Sequence, residues 1–415
     1  MRQVFRGLAL LASMTMALWG GPARAQKGET LRIAWIDALS GMTAATGRNQ
    51  LQSFQFLAER FSKTHPAGVN YQIVPFDNKL SPQETVVLLQ AAIDQGIRYV
   101  VQGTGTGPAT AIIDFLNKHN ERNPGKEVVY LNYAAVDPDL TNSKCSYWHF
   151  RLDADTSMRM EALTSFIQAQ RDIRKIYLIN QNYAHGHQVV RYARENLARK
   201  RPDIEIVGDD LTPLAQTRDF APYVAKIKAS GADAVLTGNW SSDLTLLIKA
   251  ANEAGLKARF FTYYASALGA PTAIGAAGEG RVFQVGVFPY GGGGELRQLM
   301  ADFRARFKED FSTAQVYHAF AVLGGAITKA RSTEPVKVAA ALSGLQVNSL
   351  NGEVQMRRAD HQLQQPLIIS AWQRVGRAPH DVDVEGTGFT FVPLQVLPAY
   401  VSSTPTSCQM KRPAG

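Results

Sequence analysis

Short apolar runs alternate with helix-length segments along most of the chain, and this alternation restricts the fold more than any other feature. In the first 150 residues the runs lie at 31–36, 71–76, 99–102 and 128–133, and apolar residues recur at helical spacing between them. Ser81 and Pro82 begin one such helix and Gly96 ends it, as a capping hydroxyl, a first-turn proline and a C-terminal glycine commonly do. Strands that alternate with helices form parallel sheets with right-handed crossovers, so the sequence predicts a doubly wound α/β fold.

The same alternation starts again after residue 150 and predicts a second lobe. Helices are expected at 156–170, 187–198, 219–229 and 242–254, and strands at 175–180, 204–208, 233–238, 259–264 and 281–287. Three more helices follow at 295–307, 317–330 and 336–342, and two alternating segments, 352–357 and 366–373, are expected to pair as a hairpin. We therefore expect two doubly wound lobes with parallel sheets, joined by a hinge of several strands, in agreement with the length of the chain.

The N-terminus has the features of a secretory signal peptide. Arg2 and Arg6 precede an apolar run at 8–19, and Ala23-Arg24-Ala25 is a small-x-small cleavage site. The apolar run is too short to span a bilayer, and no Cys lies near the cleavage point to carry a lipid anchor. The sequence thus predicts a periplasmic protein whose mature chain starts at Gln26.

Charge and motifs exclude several classes of function. The predicted mature chain has 41 Lys and Arg against 35 Asp and Glu, a net charge near +6, without a basic run or interleaved aromatics, so nucleic acid binding is not expected. Neither Gly-x-Ser-x-Gly nor His-Glu-x-x-His occurs, and His185 and His187, expected as surface residues, have no third ligand in metal-binding spacing. No enzyme activity, cofactor or metal is predicted.

The chain has two cysteines, Cys145 and Cys408. Two lone cysteines in an exported chain pair in an oxidising compartment or remain as reactive thiols. We expect a disulfide that fixes the C-terminal tail, 399–415, to the first lobe.

A loop of alternating Gly and Thr, 103–107, joins the apolar run at 99–102 to a helix in which Pro108 suits the first position. Backbone N–H groups of such a loop, together with the free amides at a helix start, bind a small anion such as a carboxylate. The nucleotide motif Gly-x-Gly-x-x-Gly is not completed here, because Pro108 stands at the last Gly position. Ligand contacts are expected from this loop and from the other loops that follow strands, namely 40–47, 133–137, 182–183, 239–240 and 263–264.

Several segments in this order resemble type I periplasmic solute-binding proteins, in particular the leucine/isoleucine/valine-binding branch that serves ABC importers. They are residues 37–41, 95–100, 133–141, 182–186, 219–227 and 254–257. The resemblance covers most of the mature chain and implies two lobes that close over one small ligand. It implies a first lobe of 26–152 plus about 286–355, and a second lobe of 153–285 plus about 356–398. A membrane permease is the implied partner.

The resemblance also implies a set of ligand-binding residues. Thr106 matches the hydroxyl residue that holds the ligand's carboxylate, Ala134 matches a backbone contact, and Tyr183 and Trp240 match aromatic walls of the second lobe. The strand-end loops add Thr104, Ser40, Tyr133, Val136 and Tyr264 as candidates. Thr104 and Thr106 could equally satisfy loop backbone groups, and Ser40 could cap the following helix.

Three positions depart from the pattern of amino-acid binders. Val136 replaces a hydroxyl residue, Thr46 stands where Tyr is often found, and Tyr264 stands where an acid is expected for the ligand's ammonium group, unless Glu279 or Asp243 serves instead. We expect the protein to capture a branched-chain or hydrophobic amino acid, or a related small carboxylate or amide, which can be aromatic. A sensory module that presents the same ligand class to a receptor is the alternative.

Overall fold

The computed structural model describes residues 28–290 and 293–413, so the predicted signal peptide, Met1 to Ala25, lies outside the described residues. The strands are β1 (Thr30–Asp37), β2 (Asn70–Asp77), β3 (Tyr99–Gln102), β4 (Val129–Asn132), β5 (His149–Arg151), β6 (Lys175–Gln181), β7 (Glu205–Thr212), β8 (Ala234–Thr237), β9 (Arg259–Thr262), β10 (Val282–Gly286), β11 (Gln346–Ser349), β12 (Gly352–Met356), β13 (Leu363–Gln364), β14 (Leu367–Arg374) and β15 (Phe389–Leu397). The helices are α1 (Ala44–Thr64), α2 (Pro82–Asp94), α3 (Thr106–Arg122), α4 (Thr156–Ala169), α5 (Ala184–Lys200), α6 (Ala221–Ala229), α7 (Ser241–Glu253), α8 (Ala270–Ile274), α9 (Gly294–Phe307), α10 (Val316–Ala330), α11 (Pro335–Leu342) and α12 (Ala399–Ser402).

The two main sheets repeat one topology, which confirms the predicted pair of doubly wound lobes. The first sheet has the order β2-β1-β3-β4-β5 and is parallel throughout. The second has the order β15-β14-β10-β9-β8-β6-β7, in which β6 to β10 are parallel and β14 and β15 add two antiparallel strands. In each sheet the strand order reverses at the first strand of its lobe, β1 or β6, and ligands bind at such switch points.

Both faces of each sheet are covered by helices. On one face of the first sheet, α1 packs against α10 through rings such as Phe54, Phe61 and Phe320, whose centroids lie 5.4–5.9 Å apart. Residues of α2 and α3 cover the other face together with Ile36 and Val100 of the strands. Burial on both faces explains why these strands are continuous apolar runs and not alternating ones.

Within the described residues up to β15, the chain crosses between the lobes three times, between β5 and α4, between β10 and α9, and between β13 and β14. Buried polar side chains hold the crossings together. Arg151 donates to the Gln362 Oε1 and, at 2.9 Å, to the Asp155 carboxylate, while Gln362 Nε2 donates to the Asp153 carbonyl at 2.9 Å. Gln365 Nε2 donates to the Leu152 carbonyl at 2.8 Å. The hinge is therefore fixed by specific hydrogen bonds and not by apolar packing alone.

Two local predictions were wrong. The segments 352–357 and 366–373 do not pair with each other: β12 pairs with β11 and β13 in a separate three-stranded sheet, whereas β14 pairs with β10 and β15. A strand's partner depends on tertiary packing, which its alternation does not encode. The helix after the Gly/Thr loop begins at Thr106, so Pro108 is its third residue and not its first.

The C-terminal tail returns from the second lobe to the first. After β15, Ser403 Oγ accepts a hydrogen bond from Gln364 Nε2 at 2.7 Å, and the Thr404 carbonyl accepts one from Arg357 at 2.7 Å. The predicted disulfide is present: Cys408 is bonded to Cys145, with their Cα atoms 5.8 Å apart. No helix within 28–290 and 293–413 is long and apolar enough to cross a membrane.

Candidate ligand-binding site between the lobes

A cavity lies between the lobes at the carboxyl ends of both main sheets. It encloses about 910 Å³, counting the part open to solvent, and loops of both lobes line it. The first lobe contributes the segments 103–106, 134–136 and 312–315, and the second lobe contributes Tyr183, Trp240 and Tyr264 among others. Because both lobes supply walls, a ligand held here contacts its full set of residues only when the lobes are closed.

A buried aspartate positions the Gly/Thr loop. Asp37, at the end of β1, accepts hydrogen bonds from the Gly103 and Thr104 N–H groups at 2.9 and 3.1 Å and from the Tyr133 hydroxyl at 2.6 Å. Burial raises the pKa of the Asp37 carboxyl above its ordinary value, and these hydrogen bonds oppose the rise. The Asp37 carboxylate thus lies behind the loop and holds it, and it does not line the cavity.

Glycine is required at two positions of the loop. A Cβ on Gly103 would lie 2.8 Å from both the Ala134 nitrogen and the Tyr133 ring, and Gly105 has a φ of +89°. L-residues rarely adopt such a φ, so this path of the backbone depends on these glycines. The path leads directly into α3, whose first residue is Thr106.

Thr106 lines the cavity at the start of α3 and is only 6% exposed. Among the described residues, no protein group forms a hydrogen bond with its hydroxyl, whereas Thr104 Oγ1 lies 3.3 Å from Gln50 Oε1. The first N–H groups of a helix have no partner within the helix and attract anions. Since the Gly103 and Thr104 N–H groups already donate to Asp37, the Thr106 hydroxyl and the start of α3 supply the donors of a corner suited to a carboxylate, which we call the anion-binding corner.

The second lobe supplies an aromatic wall. Tyr183 follows β6 and Trp240 follows β8, and Trp240 Nε1 donates to the Tyr183 hydroxyl at 2.9 Å. Behind them lies His185, which is buried and not at the surface as predicted, with Nδ1 2.7 Å from Thr156 Oγ1 and Nε2 3.1 Å from the Gly238 carbonyl. Burial lowers the pKa of His185 to about 4, so the ring is neutral at pH 7. His185 supports the wall, and protein groups occupy both of its ring nitrogens.

Arg159 and Gln284 line the cavity but were not predicted from the sequence. Arg159 is 2% exposed, pairs with the Asp153 carboxylate at 2.6 Å and lies 5.3 Å from the centroid of the Tyr264 ring. A signal was available, because position 159 falls on the same helical face as Leu163 and Ile167. Gln284 lies inside β10, where only the tertiary structure shows which side chains reach the cavity.

One direct contact joins the two lobes across the cavity. Thr46 Oγ1, near the start of α1, lies 3.0 Å from Ser241 Oγ, at the start of α7. Ser241 has a φ of +53°, which is uncommon for a residue other than glycine. The contact shows that the structure represents a closed arrangement of the lobes.

Seven of the nine predicted ligand-binding residues line this cavity, namely Thr104, Thr106, Ala134, Val136, Tyr183, Trp240 and Tyr264. Two do not. Ser40 is exposed outside the cavity and makes no side-chain cap, and Tyr133 is fully buried behind the Gly/Thr loop. Tyr263 lines the cavity beside Tyr264, although its hydroxyl donates to the Thr156 carbonyl at 3.0 Å.

No described lining residue is an acid. Asp243, considered from the sequence, is buried outside the cavity and accepts from Gln181 Nε2 at 2.8 Å, and Glu279 lies 3.7 Å from Arg374. Among the residues that the structure describes, no group of three or more His, Cys, Asp and Glu side chains could hold a metal. The described lining thus combines a corner suited to an anion with an aromatic wall and includes no carboxylate.

Comparisons with known proteins agree with this architecture. A model of the family described as periplasmic binding protein matches residues 30–377. The Leu/Ile/Val-binding protein homolog 4 of Brucella abortus (strain 2308) is 31% identical over 402 residues, which are 94% of this chain and 95% of that protein.

Solved structures show the same fold. The leucine-, isoleucine-, valine-, threonine- and alanine-binding protein from Brucella ovis, in its closed conformation, has a TM-score of 0.82 and 31% identity, covering 93% of this chain and 100% of that one. A solute-binding protein of an ABC transporter from Rhodopseudomonas palustris BisB5, in complex with 3,4-dihydroxybenzoic acid, has a TM-score of 0.76 at 18% identity, covering 89% and 98%. The chain therefore belongs to the type I periplasmic binding proteins, in their Leu/Ile/Val-binding branch.

Proposed function

We propose that this protein is the periplasmic component of an ABC importer and captures a small organic acid with an apolar or aromatic body and no ammonium group. Closure of the lobes would enclose the ligand, and the closed form would deliver it to a membrane permease. The observation that carries the proposal is the make-up of the cavity, with an anion-binding corner on the first lobe and no acid among its described residues.

The Gly/Thr loop and the start of α3 favour a carboxylate at one end of the ligand. The Thr106 hydroxyl lies at a helix N-terminus and has no protein partner among the described residues. Hydrogen bonds from a hydroxyl and from helix N–H groups to an ionised oxygen are stronger than those between neutral groups. A carboxylate is the smallest ligand group that uses all of these donors.

The rest of the lining favours a ligand without an ammonium group. A free α-amino acid carries a cation, and a buried cation without a partner costs several kcal/mol. Tyr264 stands where an acid was expected, and Arg159 close to it already has its carboxylate partner, Asp153, and offers only N–H donors to that side of the cavity. The two Brucella relatives are named for amino acids, so the proposal assigns this chain a different ligand from theirs.

The proposed body of the ligand is flat and apolar. Trp240 and Tyr183 are joined edge to edge by their hydrogen bond, and Val136 adds an aliphatic surface where a hydroxyl was expected. Aromatic walls of this kind bury a large apolar area with little loss of side-chain freedom. An aromatic acid, or an amide of similar shape, fits these walls.

We also propose a division of the chain into lobes at 26–152 plus about 286–355 and 153–285 plus about 356–398. The positions of the first two crossings support this division, whereas the third crossing, between β13 and β14, moves the last proposed boundary from about 355 to near residue 365.

Thermal-shift measurements on matched ligands test the proposal. The mature chain, unfolded and refolded to remove bound ligand, is titrated with 4-methylpentanoate against leucine, and with 3-phenylpropanoate against phenylalanine. A bound ligand raises the melting temperature by mass action, and we expect the acid without the amino group to give the larger rise in each pair. The corresponding amides and the methyl ester of 3-phenylpropanoate show whether the anionic oxygen is required. Tighter calorimetric binding of leucine and phenylalanine than of their counterparts would overturn the proposal.

A further inference from the structure

A second group of polar side chains lies on the other side of the cavity from the anion-binding corner, on the second lobe. It consists of Arg159, Tyr264 and Gln284, which we call the donor cluster. The three are close together: the Arg159 guanidinium lies 5.3 Å from the centroid of the Tyr264 ring, and Arg159 Nη1 donates to the carbonyl of Val285, the residue after Gln284, at 2.8 Å.

Arg159 has N–H groups to spare. Its Nε, Nη1 and Nη2 atoms each make one hydrogen bond, to the Ala154 carbonyl at 3.1 Å, the Val285 carbonyl at 2.8 Å and the Asp153 carboxylate at 2.6 Å. A guanidinium has five N–H groups, so two remain without an acceptor among the described residues. Arg159 is 2% exposed, and these two groups have lost most of their contact with water.

Gln284 is oriented by a backbone group. The Ser266 N–H donates to Gln284 Oε1 at 2.5 Å, and a backbone N–H can only donate, so this contact fixes which end of the amide is the oxygen. The Nε2 group points away from Ser266 and has no acceptor among the described residues. Gln284 is 3% exposed and lines the cavity, so its amide contributes further unused donors.

Tyr264 adds a hydroxyl that no described protein group binds, in contrast to the Tyr263 hydroxyl, which donates to the Thr156 carbonyl at 3.0 Å. Burial raises the pKa of the Tyr264 hydroxyl, which keeps its proton at neutral pH and remains a donor. Three side chains of different types thus present unused donors from one region. Donors that face a cavity and are not used by the protein are free to bind a ligand, and each becomes costly when a ligand covers it without an acceptor.

We propose that the donor cluster of Arg159, Tyr264 and Gln284 binds an oxygen acceptor at the far end of the ligand. Resting on the proposed function, the inference narrows the ligand to a carboxylic acid with a second oxygen function, such as a hydroxyl, carbonyl or carboxylate, opposite the first. The cluster then selects for that oxygen, because a ligand that lacks it leaves the donors unpaired. An ammonium group placed there meets the Arg159 guanidinium and Gln284 Nε2, neither of which accepts a hydrogen bond.

Pairs of ligands that differ only in the distal oxygen test the inference. Benzoate is compared with 4-hydroxybenzoate, and hexanoate with adipate, by calorimetric titration of the refolded mature chain. We expect the member with the second oxygen to bind at least about tenfold more tightly, because sites built to pair a polar group reject analogues that lack it. Equal affinities within both pairs would overturn the inference and leave the proposed function standing. Failure of every acid in both pairs to bind would overturn both.

Tyr264→Phe removes one donor with little other change, since its hydroxyl has no partner among the described residues. We expect the ratio of affinities within each pair to fall about fivefold, the effect of one neutral hydrogen bond. Tyr263→Phe is the neighbouring comparison, because the protein uses that hydroxyl: it should lower the melting temperature, and any change in affinity should be equal for both members of a pair. If Tyr264→Phe weakens both members of a pair equally, the first carboxylate itself lies at the donor cluster, and the inference is wrong.

Arg159 requires a paired substitution, because removal of Arg159 alone leaves the buried Asp153 carboxylate without its partner. Arg159→Gln combined with Asp153→Asn removes both charges together. We expect this double variant to fold and to lower the adipate-to-hexanoate preference at least about tenfold, since the lost hydrogen bond involves charged groups. A folded double variant that keeps the full preference would contradict the role of Arg159.

Discussion

Replacement of Thr106 by valine separates a ligand-binding role from a structural one. Valine keeps the branched shape of the side chain and removes the hydroxyl. The Thr106 side chain is 6% exposed, lines the cavity and has no hydrogen bond to the described protein, so folding loses no hydrogen bond in the variant. A hydrogen bond to an ionised oxygen contributes about 1.5–3 kcal/mol, which corresponds to a loss of about 10- to 150-fold in affinity for the carboxylate.

Thr104→Val is the matched control for Thr106→Val. The Thr104 hydroxyl lies 3.3 Å from Gln50 Oε1, so its removal should lower stability more and affinity less. Each variant is titrated calorimetrically with the acid that gives the largest thermal shift in the wild-type screen, and its melting temperature is recorded without ligand. Unchanged affinity in Thr106→Val, or a fall in its melting temperature as large as that of Thr104→Val, would refute the assignment of Thr106.

Three further predictions concern stability and closure. Cys145→Ser with Cys408→Ser should lower the free energy of unfolding by about 2–4 kcal/mol in urea, and reductant should affect the wild type alone. Because burial lowers the pKa of His185 to about 4, only the unfolded chain binds the proton between pH 6.5 and pH 4, and the free energy of unfolding should fall across this range by at most about 1.4 kcal/mol per pH unit. In urea titrations, the free energy of unfolding of His185→Gln should depend less on pH than that of the wild type, and equal slopes would contradict this prediction. Thr46→Ala, which removes the contact with Ser241, should speed ligand dissociation about 2- to 12-fold in stopped-flow measurements, and an unchanged rate would argue against a role in closure.

The predicted ligand-binding residues that line the cavity share one origin. Thr106, Tyr183 and Trp240 all follow strands of parallel sheets, and the carboxyl ends of such strands meet at one edge. The strands themselves are recognisable as apolar runs because both sheet faces are buried. Local sequence therefore suffices to place these loops at the cavity.

The lining residues that were not predicted reach the cavity because of how distant segments of the chain pack. Arg159 reaches the cavity from the first turn of α4, and Gln284 from within a strand that leads to the hinge. Ser40 and Tyr133 also lie in loops after strands, but one faces solvent outside the cavity and the other packs behind the Gly/Thr loop. Loop position predicts proximity to the cavity, whereas side-chain direction follows from neighbours that are remote in sequence.

The disulfide joins residues that are 263 positions apart, and this separation sets when the bond can form. If the chain is exported from its N-terminus, as its sequence predicts, Cys145 enters the oxidising compartment before Cys408. By the time Cys408 emerges, every strand of both main sheets has already emerged, since β15 ends at Leu397. The cross-link between Cys145 and Cys408 therefore can form only after these strands have emerged, and it requires the tail to lie on the first lobe.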